Sequence, residues 1–126
     1  MNMKEFCERL KERGERFLVD AELDFESKEY DVALFHVEQA VQLFLKAKIV
    51  SFGVEFPKVH EISKLLKILK ELGVKGVEEL AKNRKVVELL EFSYISSRYL
   101  PVSFSKEDVK EAIEFAKRLK EVLWKK

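Results

Sequence analysis

The sequence predicts an all-α protein, an antiparallel up-and-down helical bundle of four main helices plus a shorter one, in a single domain over residues 1–126. Two observations lead there. Apolar residues recur at three- and four-residue steps along most of the chain, the spacing of one helix face. The prolines, and every glycine but one, fall between these periodic stretches, where they punctuate helices. No strand-and-turn series, internal repeat, low-complexity tract or linker interrupts them. A chain of 126 residues suits one domain and buries roughly two-thirds of the surface it exposes when unfolded, enough for a core without staples.

The first helix is expected from about Met3 to Phe25. Phe6, Cys7, Leu10, Phe17, Leu18 and Ala21 form one stripe, and the charged residues between them form a solvated face of mixed sign. Gly14 lies on the stripe, where a missing side chain lets a neighbouring helix approach, at a propensity cost of about 1 kcal/mol.

The second helix is expected to be capped by Ser27 and to run to about Phe52, ahead of Gly53. Its apolar arc is wide, from Tyr30 and Ala33 to Leu45 and Ala47, and the opposite arc mixes Asp31, His36, Glu38, Gln39, Gln42 and Lys46 with Phe35, Leu43 and Ile49. A helix apolar on nearly all sides is either central in its own domain or covered by a second chain. Ala33, Ala40 and Ala47 recur every seven residues as a thin strip suited to close packing.

The third helix is shorter, from about Val59 to Leu72, with Ile62, Leu65, Leu66 and Leu69 on its stripe and Gly73 ending it. A single turn around Val77 to Ala81 follows Gly76. The next helix spans about Asn83 to Arg98 or Tyr99, and Pro101 forbids its simple continuation. Ser105 to Asp108 resembles a capping box, and opens a last helix reaching about Trp124. Lys125 and Lys126 at its end suit the negative pole of the helix dipole.

With 24 basic and 23 acidic residues, the formal net charge is +1. That balance argues against a broad electrostatic nucleic-acid binder, though not against a local basic patch. One cysteine, Cys7, allows no internal disulfide and no Cys-rich zinc site; it is expected to be a buried structural thiol. No apolar run approaches the ~20 residues that span a bilayer, so no membrane is expected. The start of the chain carries no signal-peptide core, and a reducing, cytoplasmic setting is expected. Abundant Lys and Glu with few amides fit a thermophile.

The two histidines, His36 and His60, fall on different segments and belong to no metal-ligand spacing, so no metal is expected. There is no Gly-rich phosphate loop and no cofactor motif. The richest chemistry lies between Tyr94 and Pro101, where Ser96, Ser97, Arg98 and Tyr99 end a helix. A guanidinium offers a planar fork to phosphate, and tyrosine rings stack on bases. The same residues also suit a plainer role, with Arg98 capping the last carbonyls of its helix and the tyrosines completing the core.

With these residues in view, the chain resembles the HEPN family of small all-helical proteins. Tyr30 to Ala40, read with Leu45-Lys46-Ala47, is similar to that family's Tyr-x-x-Ala, Glu-Gln-Ala and Leu-Lys-Ala run. His60 ahead of Leu65-Leu66 is similar to its Thr-His before a leucine pair, with Val59 in place of Thr. Ser97-Arg98-Tyr99 with Pro101 is similar to an Arg-Tyr-Pro element with Leu100 inserted, and the closing amphipathic helix completes the likeness. The resemblance implies a homodimer and a minimal nucleotidyltransferase as frequent partner, in toxin–antitoxin-like pairs. It also implies a possible metal-independent ribonuclease with Arg followed after four to six residues by His. Arg98 matches, but Tyr99 to Ser105 contain no histidine, and Phe104 stands in the window. A phenyl ring can neither take nor give the proton of a ribose hydroxyl. The expectation is therefore a dimeric domain binding a nucleotide or a nucleotidyltransferase partner without that catalysis. Arg98 is the first phosphate-binding candidate, and Lys46, His60 and Tyr99 are the others. A toxin ribonuclease and a structural adaptor are the alternatives.

Overall fold

The computed structural model describes residues 1–125, the side chain of Arg98 excepted. Six helices succeed one another among them: α1 (Met3–Glu26), α2 (Tyr30–Val50), α3 (Ile62–Glu71), α4 (Val77–Ala81), α5 (Arg84–Tyr99) and α6 (Lys106–Leu123). Four are long, α3 is the shorter helix, and α4 is the single turn expected after Gly76. The architecture is the expected antiparallel bundle.

Side-chain caps start three of these six helices. The Oδ1 of Asn2 accepts the Glu5 N–H at 2.8 Å at the start of α1. Asn83 does the same for Val86 before α5, at 3.3 Å. The Ser105 Oγ accepts the Asp108 N–H at 3.1 Å before α6, as the capping pattern predicts.

Ser27 departs from expectation. It closes α1 instead of opening α2: its N–H reaches the Leu23 carbonyl, Lys28 then turns left-handed at φ +64°, and the Glu29 N–H returns to Asp24 O. The end of α1 thus consumes the serine, and α2 starts without a side-chain cap, helped by Asp31 in its first turn. The third helix also starts later than the periodicity suggests. The His60 carbonyl, which a helix from Val59 would use internally, accepts instead from the Gln42 side chain.

α2 is the central rod, packed against α1, α3, α5 and α6. The two options left open by its apolar circumference are thereby decided: it is central in its own domain. Phe44, Leu34 and Leu45 are fully enclosed, as are Ala33, Ala40 and Ala47. Gly14 performs the expected service, since a Cβ there would stand 2.7 Å from the Phe44 ring and 3.3 Å from the Ala40 carbonyl. Cys7 is only half-buried, contrary to the buried thiol expected, because it lies near the N-terminal end of α1, where other elements cover the helix less. Burial, and then the neighbouring Glu8, hold its thiol above the ordinary cysteine range.

The connection from α2 to α3 is irregular. After Gly53, residues 54–60 make no backbone–backbone hydrogen bond among the described residues. Side chains hold this stretch.

Candidate functional site

A line of polar side chains runs along the otherwise apolar α2. Glu38, Gln42 and Lys46 are placed at four-residue steps, on one face, and are 1%, 6% and 9% exposed. A buried carboxylate needs donors, and two amides supply them: Gln39 Nε2 donates to Glu38 at 2.8 Å, and Gln42 Nε2 at 2.9 Å. Gln42 Nε2 also reaches the His60 carbonyl at 2.5 Å, while the Gln42 Oε1 is buried without a partner among the described residues. At the end of the line, burial pushes the Lys46 ammonium below the usual lysine range, and the charge of Glu38 partly opposes that. The Lys46 Nζ lies 5.5 Å from the centre of the Phe56 ring.

The line on α2 meets the surface at His60. This imidazole is exposed, and it stacks on Tyr94 of α5 with ring centres 4.7 Å apart and planes 20° apart. The start of α3 is tied to α5 beside this stack, where the Ser63 N–H and Oγ both donate to Glu91, at 3.0 and 2.8 Å. Two further α5 hydroxyls, of Ser93 and Ser96, are buried and have no hydrogen-bond partner among the described residues. The 51–61 connection therefore carries an exposed imidazole stacked on an aromatic face of α5, and four residues earlier a ring that lies by the Lys46 ammonium of α2. Such a set suits a ligand carrying both negative charge and a flat ring.

The sequence candidates separate in space. Gln42 holds the His60 carbonyl, while Lys46, one turn further along α2, points its ammonium at Phe56. Arg98 stands four positions after Tyr94 in α5, and its side chain lies outside those described. Tyr99 is 76% exposed and falls with Phe92, Ile95 and Leu100 in a different, apolar patch. Phe104, at the motif histidine's place, is partly buried and meets Phe92 edge-on at 6.2 Å. It also borders a cavity of about 230 Å³ shared with Val32, Phe35 and Leu100. His36 is held elsewhere, with its Nδ1 at 2.5 Å from Asp24 Oδ2 and its ring beside Phe17 and Phe35.

Glu38 and Gln42 were not singled out as site residues from the sequence, whereas Tyr94 opened the candidate stretch that ends at Pro101. The signal was present, since polar residues spaced by four on an all-round apolar helix mark a line that something polar must meet. Among the described residues, no group of three His, Cys, Asp or Glu side chains could hold a metal ion. No described helix is long and apolar enough to cross a membrane.

The fold is similar to that of a solved protein, described as TT1696 from Thermus thermophilus. The TM-score is 0.79 and the identity 23%, over 93% of this chain and 94% of that one. No curated protein matches the chain. The model of the HEPN domain matches residues 7–126, nearly the whole length. The four resembling stretches, the bundle around α2 and this match agree, and the chain belongs to the HEPN domain family.

Proposed function

We propose that this HEPN domain binds a phosphate-bearing ligand, a nucleotide or an RNA strand, and does so as a homodimer without the family's ribonuclease chemistry. The observation that carries the reading is the His60–Tyr94 stack, whose imidazole is exposed, whose His60 carbonyl is held by Gln42 of α2, and whose Tyr94 stands four positions before Arg98. An aromatic platform, with basic residues at nearby positions of α2 and α5, is the minimal equipment for a base and its phosphate. The phenyl ring of Phe104, packed on Phe92, supports the absence of proton transfer at that position.

Dimerisation draws its support from the exposed Phe92, Ile95, Tyr99 and Leu100, a contiguous face of α5 and the residue after it. A minimal nucleotidyltransferase is the protein partner that membership of the family suggests.

Calorimetric titration with ATP, GTP and a short RNA tests the binding. The expected result is saturable binding weakened at least tenfold in both His60→Ala and Arg98→Ala. Absence of binding for all three ligands would overturn the phosphate site and leave a protein partner or a structural adaptor. Light scattering should give twice the chain mass of 14.8 kDa, and half that for Ile95→Glu.

A second reading, RNA cleavage, is favoured by one fact. The fold brings His60, not His36, to Tyr94 and so to the neighbourhood of position 98. Cleavage of structured RNA lost in both His60→Ala and Arg98→Ala would establish it, and intact RNA would dismiss it.

A further inference from the structure

We propose that residues 54–60 form a strap that closes over the Lys46 ammonium in the free domain and lifts when an anion takes that ammonium. This deepens the reading of a phosphate-binding site, on which it rests, by naming how the site is gated.

Three features of the segment point to a gate. It makes no backbone–backbone hydrogen bond among the described residues, so nothing holds it as regular structure. Upstream it leaves a turn at Gly53, whose φ of +81° suits glycine, with open space where a Cβ would stand. Its attachments are few: Val59 packs on the core, and the others end on the candidate site. Phe56 lies over Lys46 Nζ at 5.5 Å and meets Phe6 of α1 edge-on at 6.2 Å. Further on, the His60 carbonyl accepts from Gln42. One end of the strap thus covers the cation, and the other carries the exposed imidazole.

The covering contact is also the kind an anion displaces. A ring face offers an ammonium only its quadrupole, whereas a phosphate oxygen offers full charge and a short hydrogen bond. Lys46 is nearly enclosed under the ring, with the buried Glu38 carboxylate on its own helix opposing the cost, so its ammonium is poorly solvated when the strap is down. Phe56 itself is already 42% exposed, so lifting it uncovers the remainder of one ring and the edge of Phe6 that it meets.

Competitive amine acylation of the full chain, read by mass spectrometry, tests the cover without any ligand. The exposed Lys67 serves as internal reference. Lys46 is expected to label at least tenfold more slowly than Lys67 in the wild type. Its rate should rise at least fivefold in Phe56→Ala, and Phe56→Trp should retain the protection. Phe56→Leu guards against a folding defect, because it keeps apolar bulk and removes the π face; it should give an intermediate rate. Equal Lys46 rates in all four proteins would overturn the strap.

Hydrogen exchange over residues 54–60, with and without saturating inorganic pyrophosphate, then tests the lift. Faster exchange on binding is expected. Calorimetrically verified binding with unchanged exchange would overturn the gating. Release of Lys46 in Phe56→Ala, with no pyrophosphate or ATP binding by either protein, would overturn the anion site and leave the cover standing.

Discussion

Replacing Gly14 by alanine sets two effects of similar size against each other, and the structure decides the sign. Alanine in a helix interior is favoured over glycine by about 1 kcal/mol, so an uncrowded site would gain stability. Here the added Cβ would stand 2.7 and 2.8 Å from two carbons of the Phe44 ring and 3.3 Å from the Ala40 carbonyl. The ring has little room to retreat, because Phe44 is fully buried and meets Trp124 edge-on at 5.8 Å. Overpacking of this kind costs about 1–3 kcal/mol. The difference leaves Gly14→Ala destabilised by about 1 kcal/mol, a fall in Tm of about 4 °C for a domain of this size. Urea denaturation measures it directly, with the slope unchanged and the midpoint lowered. In a Phe44→Leu background the alanine should cost less, with a coupling of at least about 0.5 kcal/mol, since the two positions touch. A Gly14→Ala protein more stable than wild type would refute the close α1–α2 approach.

Other contacts give three further expected outcomes. Lys46→Met should raise stability at neutral pH, since the folded-state pKa of Lys46 is depressed below 10.5 and protonation therefore opposes folding. Between the folded and unfolded pKa values the unfolded chain binds more protons, so wild-type stability rises with pH. The advantage of Lys46→Met should accordingly shrink as pH climbs toward 10.5, which denaturation at several alkaline pH values will register. Ser105→Ala removes the acceptor of the Asp108 N–H and should cost about 1 kcal/mol by thermal melting, with Ser105→Asp close to wild type. Asp24→Asn weakens the pairing of α1 with His36 and should cost about 1 kcal/mol or less by thermal melting.

Much of the architecture was legible in the residues themselves. Helical spacing marks the positions that leave water, and Gly53, Gly73 and Pro101 mark where helices end, because these are properties of a few adjacent residues. The cap at Ser105 and the close approach at Gly14 were readable for the same reason. The Arg98 neighbourhood and the missing motif histidine were visible as local strings. Local reading failed where two structures compete for one residue. Ser27 suits a helix start, yet the end of α1 claims it first.

Periodicity says that a position faces away from water and is silent about what it faces. The circumference of α2 was compatible with a central rod or with a second chain, and only packing against α1, α3, α5 and α6 chose the rod. Gln42 reaches His60 across 18 positions, and His60 finds Tyr94 across a further stretch that includes all of α3. His36 is drawn off by Asp24. Contacts of that range depend on how rods are stacked, and stacking is chosen by the fit of whole apolar surfaces, to which each side chain contributes a small part.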